Sequence, residues 1–206
     1  MKNIFISLLG ICLTGIITFL LIPRPYVVHY HANFAMYIDG TQEDFTSDAY
    51  MEEVSRCGIT DDVHPEDRIH LHDNKWSLVH VHMAASTWWD LFSNLSWGIG
   101  EKYLVNPYGD MRIASGTTDL IYVLNGKIIS NPANEVVRST DRLLIWYGTG
   151  SESEIREKAN TLIPSDADEY NHKPDPASCS GNMYGWLGPI IESIETWKEK
   201  LPHEHE

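Results

Sequence analysis

Histidine is the residue type whose number and spacing point most clearly to a particular chemistry in this sequence. The chain of 206 residues contains ten histidines, and eight of them occur in His-x-His pairs. Residues i and i+2 of a β-strand point to the same face, so each pair on a strand would place two imidazoles side by side. Imidazole suits Zn²⁺, Cu²⁺ and Ni²⁺, and three or four of them are enough for a first coordination shell. The pattern therefore predicts a transition-metal site, and the pairs are His29/His31, His70/His72, His80/His82 and His203/His205.

The two central pairs lie in one segment, HLHDNKWSLVHVH, which predicts a β-hairpin. If His72 pairs with His80 and His70 with His82, all four rings share one face, whereas a slip of one residue separates the pairs. The earlier pair follows an apolar segment directly and is expected to join from a neighbouring strand. The predicted metal ligands are therefore His29, His31, His70, His72, His80 and His82. Asp73 and Asp90 are the candidates for accepting hydrogen bonds from the rings.

The same histidines also allow an interpretation without a metal. Strand alternation would make the apolar residues the core face and leave the histidines on the solvent face, as proton sensors near pH 6 or as partner contacts; the apolar residues are Leu71, Leu78, Val79 and Val81. The C-terminal HEHE segment is predicted to be a flexible tail outside the site. The isolated His64 and His172 are predicted to be structural or exposed.

Three classes of function fit a histidine-rich site of this kind. The first is a copper- or zinc-binding module for metal storage, delivery or sensing. The second is a metalloenzyme, an oxidase or a hydrolase, with one coordination position open for water or substrate; only Asp73, Asp90 and Glu101 are available as general bases. The third is a structural or interaction domain with pH-sensitive histidines. The all-imidazole donor set favours Cu²⁺ or Zn²⁺, since no Cys-x-x-Cys or Met-rich motif supports Cu⁺.

An uncharged apolar segment at residues 4–22 differs from the rest of the chain. Its 19 residues can cross a bilayer core of roughly 30 Å as a helix. A cleaved signal peptide usually has a shorter apolar region, of about 7–15 residues, followed by small residues, whereas here Pro23, Arg24 and Pro25 follow. We expect a retained single-pass anchor in the cell membrane, with the N-terminus cytoplasmic and the domain extracytoplasmic. Cleavage of the segment and a buried helix in a soluble protein are the alternatives.

The charge and the cysteines limit the partners and the compartment. A formal net charge of −14 argues against nucleic acid and anionic lipid as partners, and it suits a body that attracts cations. Because Cys12 lies in the apolar segment, Cys57 and Cys179 remain as an even pair in a compartment expected to be oxidising. We expect a disulfide between them, with two unpaired thiols as the alternative.

Strand and helix signals place the histidine pairs in an α+β domain. Strands are predicted at residues 33–38, 68–73, 78–83, 119–124, 127–130 and 141–147, with two-residue turns at Asp39-Gly40 and Asn125-Gly126. Helices are predicted at residues 48–57 after Ser47, after Ser86 or Thr87 with Trp88, Leu91, Phe92 and Leu95 on one face, and at residues 152–163. This order of hairpin, helix and returning strands suggests a β-grasp-like fold.

The chain divides into three predicted regions. Residues 1–25 form the membrane anchor, residues 26–150 the His-rich α+β domain, and residues 151–206 a C-terminal helical and wrapping extension. Within the extension, residues 164–183 are predicted to wrap over the body, and an apolar stripe near the end predicts a docked terminal helix.

Several of these motifs together resemble a family of membrane-anchored, His-rich extracytoplasmic proteins. The similarity includes His31 with FAMYIDG, then HLHDN, VHVH followed by TWWDLFSNL, and finally LIYVLNGKII with DRLLIWYG. It covers most of residues 29–150. Some members carry a protein-disulfide isomerase label, whereas this chain has no Cys-x-x-Cys motif. The resemblance implies that the His-bearing hairpin and the helix after it are family features, and it implies no activity.

Overall fold

The structure, a computed structural model, describes residues 27–52 and 64–173. Within these two ranges, no helix is long and apolar enough to cross a membrane. The predicted anchor at residues 4–22, the predicted disulfide between Cys57 and Cys179, and the pair His203/His205 lie outside the described residues.

The described residues form a mixed α+β structure in which strands predominate, as the sequence predicts. The strands are β1 Val27–Ile38, β2 Thr41–Gln42, β3 Ile69–His70, β4 Leu78–Met83, β5 Gly98–Ile99, β6 Tyr103–Val105, β7 Met111–Ile113, β8 Asp119–Leu124, β9 Lys127–Ile129 and β10 Arg142–Gly148. The helices are α1 Pro65–Arg68, α2 Trp88–Asn94, α3 Glu152–Leu162 and α4 Ala167–Asn171, with a 3₁₀ turn at Asp48–Tyr50.

The main sheet has seven strands and is centred on β1. Its order is β3-β4-β1-β10-β8-β9, and β2 pairs with β1. β1 is parallel to β10 and antiparallel to β4, so the first long strand lies between the histidine hairpin and the last strand. A separate three-stranded sheet has the order β5-β6-β7.

The two faces of the main sheet are covered by different helices. On one face, Phe34 of β1 and Val81 of β4 belong to a large apolar core with Phe92 of α2. On the other face, Ala35 of β1 packs in a second core with Ile155 of α3. Alternate residues of each strand therefore face opposite sides. The histidines of β1 and β4 lie on the second side.

The helix α2 forms as the sequence predicts, and it begins after Thr87. The Thr87 hydroxyl accepts a hydrogen bond from the Asp90 backbone, and the Asp90 carboxylate accepts one from the Thr87 backbone, which makes a capping box. The predicted apolar face is confirmed, since Trp88, Leu91, Phe92 and Leu95 are all buried.

The predicted helix at residues 48–57 is wrong at residues 51 and 52, and its remaining residues 53–57 lie outside the described part of the chain. Ser47 does cap a 3₁₀ turn, but this turn ends at Tyr50, and Met51 is extended, with φ −99° and ψ 129°. Met51 instead forms a parallel bridge with Leu71, and the Glu52 backbone N–H donates to the Leu71 carbonyl at 2.9 Å. Pairing with a distant segment therefore prevails over the local helix signal.

The two predicted two-residue turns are confirmed. Asp39 and Gly40 have φ values of 51° and 80°, and Asn125 and Gly126 have φ values of 51° and 76°. Two successive positive φ values are typical of the type I′ turn, which matches the twist of the flanking strands. The second turn connects β8 to β9, while the first connects β1 to β2.

Candidate metal centre

The strand β4 brings the three histidine pairs together. His80 pairs with His70 of β3 on one side and with His31 of β1 on the other. The predicted pairing of His72 with His80 is wrong by two residues. Because side chains alternate with a period of two, a shift of two residues keeps the same side chains on the same face. The prediction that the histidines share one face therefore holds although the register differs.

These histidines are buried. The exposed fractions are 2% for His31, 5% for His70, 3% for His72, 4% for His80 and 8% for His82, while His29 is half-buried. This contradicts the interpretation in which the histidines form the solvent face of the hairpin. Apolar side chains lie on one face of the sheet at this point and imidazoles lie on the other, and both sets are shielded from solvent.

Three of the six histidines are close enough to share one metal ion. One ring nitrogen from each of His29, His31 and His80 lies within 4.8 Å of the other two, and no other such group of three occurs among the described residues. The Nε2 atom of His31 is 3.0 Å from the Nδ1 atom of His80. Tetrahedral zinc with Zn–N bonds of about 2.0–2.1 Å requires donor nitrogens roughly 3.3 Å apart. The three rings therefore fit such an ion after small rotations.

The rings of the other three histidines are in contact with those of the first three. The ring centroids of His72 and His80 are 3.5 Å apart, and those of His70 and His82 are 5.0 Å apart in a stacked arrangement. His29 stacks on His82, also at 5.0 Å. The six predicted ligands thus form one contiguous group of imidazoles.

The protonation of His31 is set by Asn171. The Oδ1 atom of Asn171 accepts the backbone N–H of His31 at 2.7 Å and lies 2.9 Å from its Nδ1 atom. The Nδ2 atom of the same amide donates to the Ser139 hydroxyl at 2.9 Å, which fixes the orientation of the amide. Because an amide oxygen can only accept, Nδ1 of His31 carries the proton and Nε2 carries the lone pair. The lone pair of His31 is therefore on Nε2, where it accepts the Nδ1 proton of His80 at 3.0 Å. His80 would have to bind an ion through Nε2, or move this proton to Nε2 and bind through Nδ1.

A backbone carbonyl sets the protonation of His70 in the same way. The Nδ1 atom of His70 lies 2.7 Å from the carbonyl oxygen of Glu66 in α1, which accepts the Nδ1 proton. The lone pair is consequently on Nε2. Donation of the second ring N–H to a carbonyl or carboxylate is the usual way in which proteins orient metal-binding histidines.

Of the two predicted carboxylate partners, one lies at the site and the other does not. Asp73 Oδ2 is 3.0 Å from His72 Nδ1, an ion-pair distance at which the angles do not give a hydrogen bond. The prediction that Asp90 accepts hydrogen bonds from the rings is wrong. Its Oδ2 accepts the backbone N–H and the hydroxyl of Thr87, at 2.7 and 2.9 Å. It caps α2 on the opposite side of the sheet.

Burial keeps the central rings neutral. Loss of solvent lowers the pKa of His80 below its ordinary value, and the neighbouring histidines lower it further, His72 most of all. The same causes, burial first and His70 next, lower the pKa of His82 to about 2. A neutral imidazole is the form that binds a metal ion, so these two rings need lose no proton to bind one at neutral pH. Neither ring has a pKa suited to proton sensing near pH 6.

The third candidate general base and the two isolated histidines lie outside the histidine cluster. Glu101, a candidate general base, lines a pocket of about 540 Å³ with Lys102, Asp119 and Glu152, and no histidine lines this pocket. His64 and His172 are exposed, as predicted.

Sequence reasoning missed the residues that orient the rings. Asn171 is 140 positions from His31, and Glu66 contributes only its backbone, so neither has a local signal in the sequence. The prediction that residues 164–183 wrap over the body points to this region. Its described part reaches β1, where Asn33 Nδ2 donates to Asp166 Oδ1 at 2.7 Å.

The chain matches no family model, no curated protein and no solved structure. The resemblance to membrane-anchored, His-rich extracytoplasmic proteins therefore stays a prediction. The function is argued from the geometry of the histidines.

Proposed function

We propose that this domain binds a divalent transition-metal ion through His29, His31 and His80 and serves in metal storage, delivery or sensing. One observation carries the proposal: these three rings each offer a nitrogen within 4.8 Å of the other two. The pairing of His31 with His80 across adjacent strands holds two of them side by side.

The donor set favours Cu²⁺ or Zn²⁺ as the ion. Imidazole is a borderline ligand that suits both ions, and the trio offers only imidazole nitrogens. Where both ions are available, the Irving–Williams order favours copper. Three nitrogens would hold the ion, and a fourth position would be left for water, for a further histidine or for a partner's ligand.

Binding is a better account of the site than hydrolysis. A hydrolytic metalloenzyme needs a base beside the metal-bound water. Of the three candidate bases, Asp90 caps α2 and Glu101 lines a separate pocket, so only Asp73 lies beside a histidine of the cluster. His31 and His80 are also almost completely buried, which suits retention of an ion. The metalloenzyme, an oxidase or a hydrolase, is the alternative.

The location of the protein is part of the same proposal. The apolar residues 4–22 support a single-pass membrane anchor with a cytoplasmic N-terminus and an extracytoplasmic domain. An oxidising compartment would support the bridge between Cys57 and Cys179. The order β4-β1-β10-β8, with β1 and β10 parallel at the centre, supports a β-grasp-like assignment of the fold.

Titration calorimetry with ZnCl₂ and CuCl₂ tests the proposed site on the full-length chain in detergent. His203→Ala and His205→Ala are included to remove the C-terminal pair. We expect the further double variant His29→Ala/His31→Ala to lose at least one tightly bound ion. The matched control His172→Ala changes an exposed histidine and should bind as the parent does. Unchanged binding in the double variant, with its fold intact by circular dichroism, contradicts the proposal.

A further inference from the structure

The histidine face contains more ligands than one ion needs. A single Zn²⁺ or Cu²⁺ ion usually takes three or four protein ligands. Assignment of one ion to His29, His31 and His80 leaves three imidazoles of the contiguous group unused, namely His70, His72 and His82, and all three are buried.

These three histidines retain nitrogens suited to a ligand. His82 Nε2 is buried without a hydrogen-bond partner, which is unfavourable for a polar atom removed from water. His72 Nδ1 lies 3.0 Å from the Asp73 carboxylate, which leaves Nε2 of His72 as the nitrogen for a metal. His70 donates its Nδ1 proton to the Glu66 carbonyl, so its lone pair is on Nε2. Coordination of a metal ion would give Nε2 of His82 a partner and would use the lone pair on Nε2 of His70.

The ring of His70 lies next to each of the other two rings. The His70 centroid is 5.0 Å from that of His82, with the rings stacked, and 5.6 Å from that of His72. Their nitrogens are more widely spaced than those of the first trio, the only one in the described chain within 4.8 Å. Rotation of the side chains about χ1 and χ2 is therefore needed to close the second set around an ion.

We propose that His70, His72 and His82 form a second position for a divalent transition-metal ion, adjacent to the first, so that the face is a dinuclear centre. This proposal rests on the proposed function of the first trio. The two positions touch, because His72 lies 3.5 Å from His80 and His29 lies 5.0 Å from His82, centroid to centroid. Asp73, 3.0 Å from His72, supplies negative charge beside the second position.

Metal content of the full-length chain with His203→Ala and His205→Ala, after CuCl₂ loading and dialysis, tests this proposal. Two copper ions per chain are expected. One is expected in His70→Ala/His82→Ala and one in His29→Ala/His31→Ala, while His172→Ala should keep two. A single ion per chain, lost in both double variants, overturns the second position and leaves the first function intact, because all six rings then serve one site. No bound ion overturns both proposals.

Electron paramagnetic resonance on the unsubstituted histidine face tests the pair without relying on the folding of variants. Two Cu²⁺ ions at adjacent positions should give dipolar broadening and a half-field signal. An isolated Cu²⁺ spectrum at full loading overturns the dinuclear centre.

Discussion

At the scale of single residues, the centre depends on which nitrogen of each imidazole carries the proton. The Asn171 amide accepts the Nδ1 proton of His31, and the Glu66 carbonyl accepts that of His70. In each ring, Nε2 therefore carries the lone pair that can bind a metal. His31 and His70, as neutral rings with a defined tautomer, each present a lone pair without rearranging protons. The protein thus sets the tautomers of these rings through groups that are not themselves candidate ligands.

Asn171→Ala should weaken metal binding by about 10–100-fold, the usual effect of removing a hydrogen bond that orients a ligand. Asn171→Asp, which keeps an acceptor for the His31 Nδ1 proton, should retain most of the affinity. Competition titration with a chelator measures both. In the metal-free protein, ¹⁵N NMR should show that His31 loses its single tautomer only in the alanine variant. Parental affinity in Asn171→Ala contradicts this role.

The stability of the metal-free protein should fall in mild acid because of the buried histidines. Burial lowers the pKa of His82 from 6.5 to about 2. Below pH 6.5 the unfolded chain therefore binds a proton that the folded chain does not, so the contribution of His82 decreases as the pH falls from 6.5 towards 2. The loss at pH 5 is about 2 kcal/mol for such a group.

Urea unfolding of the metal-free chain at pH 7 and pH 5 measures this loss. His82→Gln removes the titrating ring, so the difference in unfolding free energy between the two pH values should be smaller in the variant. Equal pH dependence in the parent and in His82→Gln contradicts the assignment.

At the scale of elements, the alternation of β1 and β4 was predictable from the sequence but the hairpin register was not. The pattern VHVH places both histidines opposite Val79 and Val81, and this is what the structure shows. The register differs because β3 contains only two residues. Leu71 leaves the hairpin to bridge Met51, and the chain then turns through positive φ values at Asp73 and Asn74. Because Met51 lies outside the hairpin, the sequence of the hairpin alone does not indicate this bridge.

The helix α2 should contribute to stability without affecting the metal centre. Thr87→Ala removes the capping hydroxyl and should lower the free energy of unfolding by about 1 kcal/mol. Asp90→Ala removes the other half of the capping box and should have a similar effect. Both variants should bind metal as the parent does, since α2 packs on the side of the sheet opposite the histidines. Loss of bound metal in Asp90→Ala, measured by calorimetry, would restore Asp90 as a partner of the rings.

At the scale of the whole molecule, the sheet combines two apolar cores with one polar patch. α2 covers one face, α3 covers part of the other, and the imidazoles occupy the rest of that second face with α4 beside β1. Composition and periodicity were enough to predict the α+β class, the apolar faces and the grouping of the six histidines, whose role as metal ligands stays a prediction. They could not predict Asn171, because contacts between segments this far apart depend on the complete fold.

X-ray absorption spectroscopy of the metal-loaded full-length chain tests the central claim most directly. A net charge of −14 allows divalent cations to bind loosely to surface carboxylates, so bound metal alone does not identify the site. The account predicts about three nitrogen ligands at roughly 2.0 Å, with the outer-shell scattering of imidazole rings. A shell of oxygen ligands without the imidazole pattern would contradict it.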